Sequence, residues 1–109
     1  MPKKLADQQT IEKLYELAGR PGDVVTTKTV SFDIMGRGLT KYDVCDALRD
    51  WIDAGMDVKE TGMRGQDSGQ SGYEIKPRIN DNLVYCKFVI RDRDGTDELL
   101  VIVSAHPDH

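Results

Sequence analysis

Two stretches of the chain repeat their apolar side chains at helical spacing. Between Gln8 and Arg20, the residues Ile11, Leu14, Tyr15 and Ala18 fall three or four apart, which places them on one stripe of an α-helix. Thr10 is positioned to cap its start, and Gly19-Arg20-Pro21-Gly22 carries the residue types that end a helix. The second helix runs from Thr40 to about Ala54, with Val44, Leu48, Trp51 and Ile52 inward and Cys45 at the edge of the stripe. Thr40 is its N-cap, and Asp43 puts a carboxylate three residues on, where the helix dipole favours it. Asp46, Asp50 and Asp53 occupy the far side, the usual pattern of a solvated face, with a surface for a basic partner as the lesser alternative. Between the helices, Asp23 to Lys28 reads as extended chain. A turn or short helix through Phe32, Ile34 and Met35 follows, broken by Gly36-Arg37-Gly38.

Past the second helix the period changes to two. Asp57 to Thr61 predicts a strand, and the polar, glycine-rich residues 62–72 predict a mobile loop that would lie over the sheet as a lid. That loop lacks the Lys-Ser/Thr ending of a nucleotide-binding P-loop and feeds no helix. Then Tyr73, Ile75 and Ile79 alternate with Glu74, Lys76 and Arg78. Asn80-Asp81-Asn82 supplies a turn, and Leu83 to Ile90 forms a long strand. Asp92 to Thr96 holds the Asp-Gly pair of a tight hairpin, leading to a last strand from Leu99 to Ala105. The predicted class is α+β: an antiparallel twisted sheet, made of this C-terminal three-stranded meander plus one or more N-terminal strands, packed against two to three helices. A length of 109 residues suits one domain with a single core, preceded by a flexible lead-in over residues 1–7.

Composition narrows the classes. Hydrophobic residues at 39% and charged residues at 31% are the balance of a folded chain, too apolar for disorder. No apolar run reaches membrane-spanning length, and Met1-Pro2-Lys3-Lys4 does not open a signal peptide, so no membrane partner and a cytoplasmic address are expected. Cys45 and Cys86 sit within apolar patterns and read as buried thiols. A net charge of −4 argues against an extended nucleic-acid surface but leaves room for a local basic patch. His106, Asp108 and His109 cluster at the C-terminus, yet three ligands with no fourth elsewhere do not make a metal site; neither metal nor cofactor is expected.

Strand alternation gathers the candidate chemistry. On the long strand Cys86, Phe88 and Ile90 face the helices, and Tyr85, Lys87 and Arg91 face away. Lys76 and Arg78 share a parity opposed to Tyr73 and Ile75. His106 shares the parity of Leu100 and Ile102, so its face depends on a bend near the end of the last strand. A surface carrying Lys76, Arg78, Tyr85, Lys87 and His106 has what RNA cleavage without a metal needs: a base for the 2′-hydroxyl proton, an acid for the leaving oxygen, and cations for the phosphoryl charge. The same row is also the ordinary solvated side of a half-exposed sheet, and periodicity does not separate the two.

In order along the chain, Val25-Thr26-Thr27-Lys28, Gly38-Leu39-Thr40 with Val44-Cys45, Lys76-Pro77-Arg78-Ile79, Val84-Tyr85-Cys86-Lys87 and Leu100-Val101-Ile102-Val103-Ser104 resemble stretches of the MqsR-type messenger-RNA interferase toxins of bacterial toxin-antitoxin systems, which share the fold of the RelE-like ribonucleases. The resemblance implies a RelE/MqsR-like sheet-and-helix domain, metal-independent cleavage of single-stranded mRNA, and a cognate antitoxin protein as partner. It puts the family's active-site lysine on Lys59, its tyrosine on Tyr85 and the arginine of its Pro-Arg pair on Arg78. The family's glutamine falls near Gly72, with Gln70 the nearest substitute, and its C-terminal lysine falls on His106. Lys59, Arg78, Tyr85 and His106 are then the catalytic candidates, with Lys76, Lys87 and Gln70 as substrate contacts. A non-catalytic member of the same fold, binding RNA or a protein, is the alternative that the acidic charge and the displaced glutamine suggest.

Overall fold

A computed structural model describes residues 4–62, 70–93 and 97–107 of the chain. After a two-residue strand β1 (Lys4–Leu5), helix α1 spans Gln8–Ala18. Its N-cap is Asp7 rather than the expected Thr10. The Asp7 carboxylate accepts the Thr10 amide at 2.8 Å, satisfying a first-turn donor that the helix itself leaves open. That bond favours the ionised carboxylate and holds Asp7 below its ordinary pKa. Thus the segment read as a flexible lead-in supplies a strand and a cap from Lys4 onward; residues 1–3 lie outside the described residues.

A single 3₁₀ turn at Pro21–Asp23 leads into β2 (Val24–Thr26), and the short helix anticipated through Phe32 is α2 (Lys28–Met35), capped by Thr27. Helix α3 (Lys41–Asp53) begins in a complete capping box, Thr40 and Asp43 each bonding the other's backbone amide. Strands β3 (Lys59–Gly62), β4 (Ser71–Ile75), β5 (Arg78–Ile79), β6 (Asn82–Arg93) and β7 (Asp97–Pro107) complete the chain. Of the loop predicted over residues 62–72, Gly62 ends β3 and Ser71 and Gly72 open β4; residues 63–69 lie outside the described residues, as does the predicted turn at Asp94-Gly95-Thr96.

The sheet order is β1-β3-β4-β6-β7-β2, with β5 extending the edge of β6. The β4-β6-β7 meander is antiparallel, as the alternation predicts. The sheet as a whole is mixed, which corrects the expectation of an antiparallel one: β2 runs parallel to β7, with Val24 opposite Leu100 and Thr26 opposite Ile102. A parallel pair needs a long crossover, and here it is the whole intervening chain, α2 and α3 included. Strands β4 and β5 hold one continuous register against β6, from Tyr73 opposite Phe88 to Ile79 opposite Asn82. The break between them falls at Lys76-Pro77 because proline has no amide to give the ladder, although its carbonyl still accepts the Val84 amide at 2.9 Å. The turn is tighter than predicted. Asn80 and Asp81 alone make it, with φ of 51° and 67°, the left-handed pair of a two-residue hairpin whose twist matches that of the strands.

All three helices feed one buried cluster. Leu14, Val30, Val44 and Leu48 meet Ile75, Cys86, Phe88, Leu100 and Ile102, so the helices cover one face of the sheet. The side chains of opposite parity on β4 and β6 therefore form the other face.

Candidate functional site

What assembles on that second face depends on one extra residue. Along β6 and β7 the register runs from Arg93 opposite Asp97 to Phe88 opposite Ile102, then resumes with Lys87 opposite Ser104 and Tyr85 opposite His106. Val103 is unmatched. A bulge of this kind shifts the parity of everything beyond it. Before it, Leu100 and Ile102 point into the core; after it, Ala105 does, and Ser104 and His106 turn to the outer face. This is the bend on which the placement of His106 depends. The imidazole comes to lie on the Tyr85 ring, centroids 5.1 Å apart and planes at 24°.

Tyr85 in turn donates its hydroxyl to the Glu74 carboxylate. Glu74 is 5% exposed, a buried acid on the face that also carries Lys59, Lys76 and Lys87. It stands opposite Lys59 on β3 and Lys87 on β6, and the Lys87 ammonium is 4.0 Å from its Oε2. Burial of a carboxylate requires such partners, and the hydroxyl and the ammonium supply them. Lys59, Glu74, Lys87 and Ser104 thus form one row across four strands. The next row holds Tyr85 and His106, with the exposed Lys76 entering from the β4–β5 break.

The predicted residues divide accordingly. Lys59, Lys76, Tyr85, Lys87 and His106 share the face around Glu74. Arg78 lies two residues beyond Lys76, roughly 7 Å further along the strand. It stays on the same face, opposite Leu83, and its guanidinium donates to the Asp81 carbonyl at 3.1 Å, which ties it to the hairpin turn. Gln70 is not part of the group. It is exposed, one residue before β4 and six from Lys76, which separates the two by about 20 Å of extended chain. Glu74 was not among the predicted site residues. The signal was its shared parity with Lys76 and Arg78, an acid alternating in step with two cations.

The His106 Nδ1 sits 3.1 Å from the Pro107 carbonyl oxygen. With that nitrogen donating, Nε2 is the one directed to chemistry. The Tyr85 hydroxyl is hydrogen-bonded to the Glu74 carboxylate and the His106 ring stacks on the phenol, with the Lys87 ammonium nearby, an arrangement that sets groups able to exchange a proton with a ligand beside a cation able to hold an anion. The thiols take no part. Cys45 and Cys86 are buried and unpaired; burial pushes Cys86 up to about 12, and burial with the nearby Asp46 pushes Cys45 up to about 11, so neither forms a thiolate nucleophile near neutral pH. Among the described residues no three His, Cys, Asp or Glu side chains gather to hold a metal ion, and Asp108 and His109 lie outside them. A hollow of about 480 Å³ beneath the hairpin, lined by Arg37, Leu39, Ile79 and Leu83 among others, shares no side chain with the Glu74 cluster. Among the described residues no helix is long and apolar enough to cross a membrane. Comparison with protein families, with curated proteins and with solved structures finds no match to this chain.

Proposed function

We propose that the chain is a metal-independent endoribonuclease that cuts single-stranded mRNA, a toxin of the MqsR type with a RelE-like fold, held in check by a cognate antitoxin protein. The observation that carries this reading is the series Glu74, Tyr85 and His106 on a face with Lys59, Lys76 and Lys87. In the proposed reaction the RNA backbone lies over Tyr85. The Tyr85 oxygen takes the proton of the ribose 2′-hydroxyl as it passes its own to Glu74. The 2′-oxygen bonds to phosphorus, and the bond from phosphorus to the 5′-oxygen breaks. His106, protonated, gives a proton from Nε2 to that 5′-oxygen. Arg78 and Lys87 stabilise the charge on the phosphoryl oxygens. The products are a 2′,3′-cyclic phosphate and a 5′-hydroxyl.

The test is cleavage of a mixed-sequence single-stranded RNA in the presence of EDTA. The wild type cuts it, and Tyr85→Phe and His106→Ala each lower the rate at least about 100-fold, the low end of what a general acid or base contributes. Cleavage that neither change affects would overturn the assignment. A second reading, a non-catalytic protein of this fold that binds RNA or a protein, is favoured by the net charge of −4 and by the carboxylate at the centre of the cationic face. It predicts RNA binding without cutting, and no growth arrest on overexpression.

A further inference from the structure

The ladder between β3 and β4 starts at Lys59 opposite Glu74, so Ile75 and Lys76 have no β3 residue beside them. The sheet is notched there. Trp51, from the last turns of α3, reaches the notch from the helix layer. Its indole N–H donates to the Asp57 carbonyl at 2.9 Å, which fixes the plane of the ring. The result is a pocket of about 120 Å³ lined by Trp51, Asp57, Lys59, Glu74, Ile75 and Lys76. Its lining thus combines an aromatic ring, two lysines and the Glu74 carboxylate to which Tyr85 donates.

We infer that this notch is a base-binding subsite that takes one pyrimidine ring of the RNA, stacked on Trp51, with Lys59 and Lys76 meeting the carbonyl edge of the base. This rests on the ribonuclease reading for its ligand. Every nucleobase has a face that stacks on an aromatic side chain, and lysine is a donor with no acceptor, so it selects carbonyl oxygens. Size selects the ring. At about 120 Å³ the hollow is well below the roughly 300–1,000 Å³ of pockets that hold drug-sized ligands, which suits a single six-membered ring better than a fused purine. Lys59 and Lys76 then position the nucleotide whose phosphate lies over Tyr85, and the enzyme prefers to cut beside a pyrimidine.

Trp51 is the single tryptophan of the chain, so its fluorescence reports on the notch alone. The full chain is titrated with uncleavable 2′-O-methyl pentauridylate and pentaadenylate, each end-labelled so that anisotropy measures binding independently. Saturable quenching of Trp51 by the uridylate, with the midpoint given by anisotropy, is expected, together with weaker binding of the adenylate. Trp51→Ala weakens uridylate binding about 5- to 100-fold, the effect of losing one stacking platform, and affects the adenylate less. Should Trp51→Ala fail to fold by circular dichroism, the wild-type fluorescence decides by itself. Uridylate that binds without changing Trp51 emission, an equal response to both oligomers, or no binding of either overturns the subsite. The two readings fail separately. Quenching with cleavage indifferent to Tyr85→Phe removes the catalytic assignment and keeps the subsite, and Tyr85-dependent cleavage with silent Trp51 does the reverse.

Discussion

The bond from Tyr85 to Glu74 makes a prediction about stability as well as chemistry. Tyr85→Phe keeps the ring and its stack on His106 but removes the hydroxyl that the buried carboxylate accepts. A hydrogen bond to a charged group contributes about 1.5–3 kcal/mol. The Lys87 ammonium, 4.0 Å from Oε2, supplies charge at that distance but no hydrogen bond. Tyr85→Phe is therefore expected to destabilise the fold by about 1.5–3 kcal/mol. In a domain of this size that lowers the melting temperature by roughly 6–20 °C. Urea unfolding at neutral pH measures it, provided the m-value is unchanged. The cycle with Glu74→Gln isolates the pair. Glutamine still accepts the hydroxyl, but without charge, so a coupling of about 1 kcal/mol is expected. A loss below about 0.5 kcal/mol for Tyr85→Phe, or effects additive within about 0.3 kcal/mol, would refute the reasoning.

Three further outcomes follow from the fold. Thr40→Ala removes one half of the α3 capping box and costs about 1 kcal/mol in chemical denaturation, whereas Thr10→Ala, whose side chain is not the α1 cap, costs little. Asp81→Gly places glycine at a φ of 67° that a side chain tolerates poorly, and it stabilises the hairpin by up to about 1 kcal/mol in thermal melts; destabilisation would contradict the two-residue turn. The two buried thiols resist a disulfide-exchange reagent in the native protein at pH 8 and react on unfolding. Because burial raises Cys86 to about 12 and Cys45 to about 11 from 9.0, the unfolded chain ionises first. Their contribution to stability is whole below pH 9.0 and is lost as pH rises toward those values, which alkaline melts of Cys86→Ala against wild type detect.

How much of this was legible before the structure depends on how far each signal is local. The stripes of α1 and α3 and the alternation of β4 and β6 are repeated many times within a few turns or residues, and they were readable with their faces. The parallel partner of β2 was not, because a three-residue strand carries no register of its own and its partner lies more than seventy residues on. The bulge was hidden for a different reason. Leu99 to Val103 is apolar at every position, so period two is invisible where the parity changes, and with it the side of the sheet to which His106 belongs. The burial of Glu74 is a tertiary property. Only the pairing that sets Tyr85 and Lys87 beside it makes a buried acid affordable, and that pairing is what turns a row of cations into a candidate proton-transfer site.

The central claim is that this face directs a ribose 2′-hydroxyl at the neighbouring phosphorus. The most direct measurement uses a single-stranded RNA with one cleavage position mapped in EDTA, and the same RNA with a single 2′-deoxy residue at that position. The account predicts cutting of the first to a 2′,3′-cyclic phosphate and a 5′-hydroxyl, no cutting of the second at that position, and loss of the first reaction in Tyr85→Phe. Cleavage at the deoxy position, or a 5′-phosphate product, would contradict it.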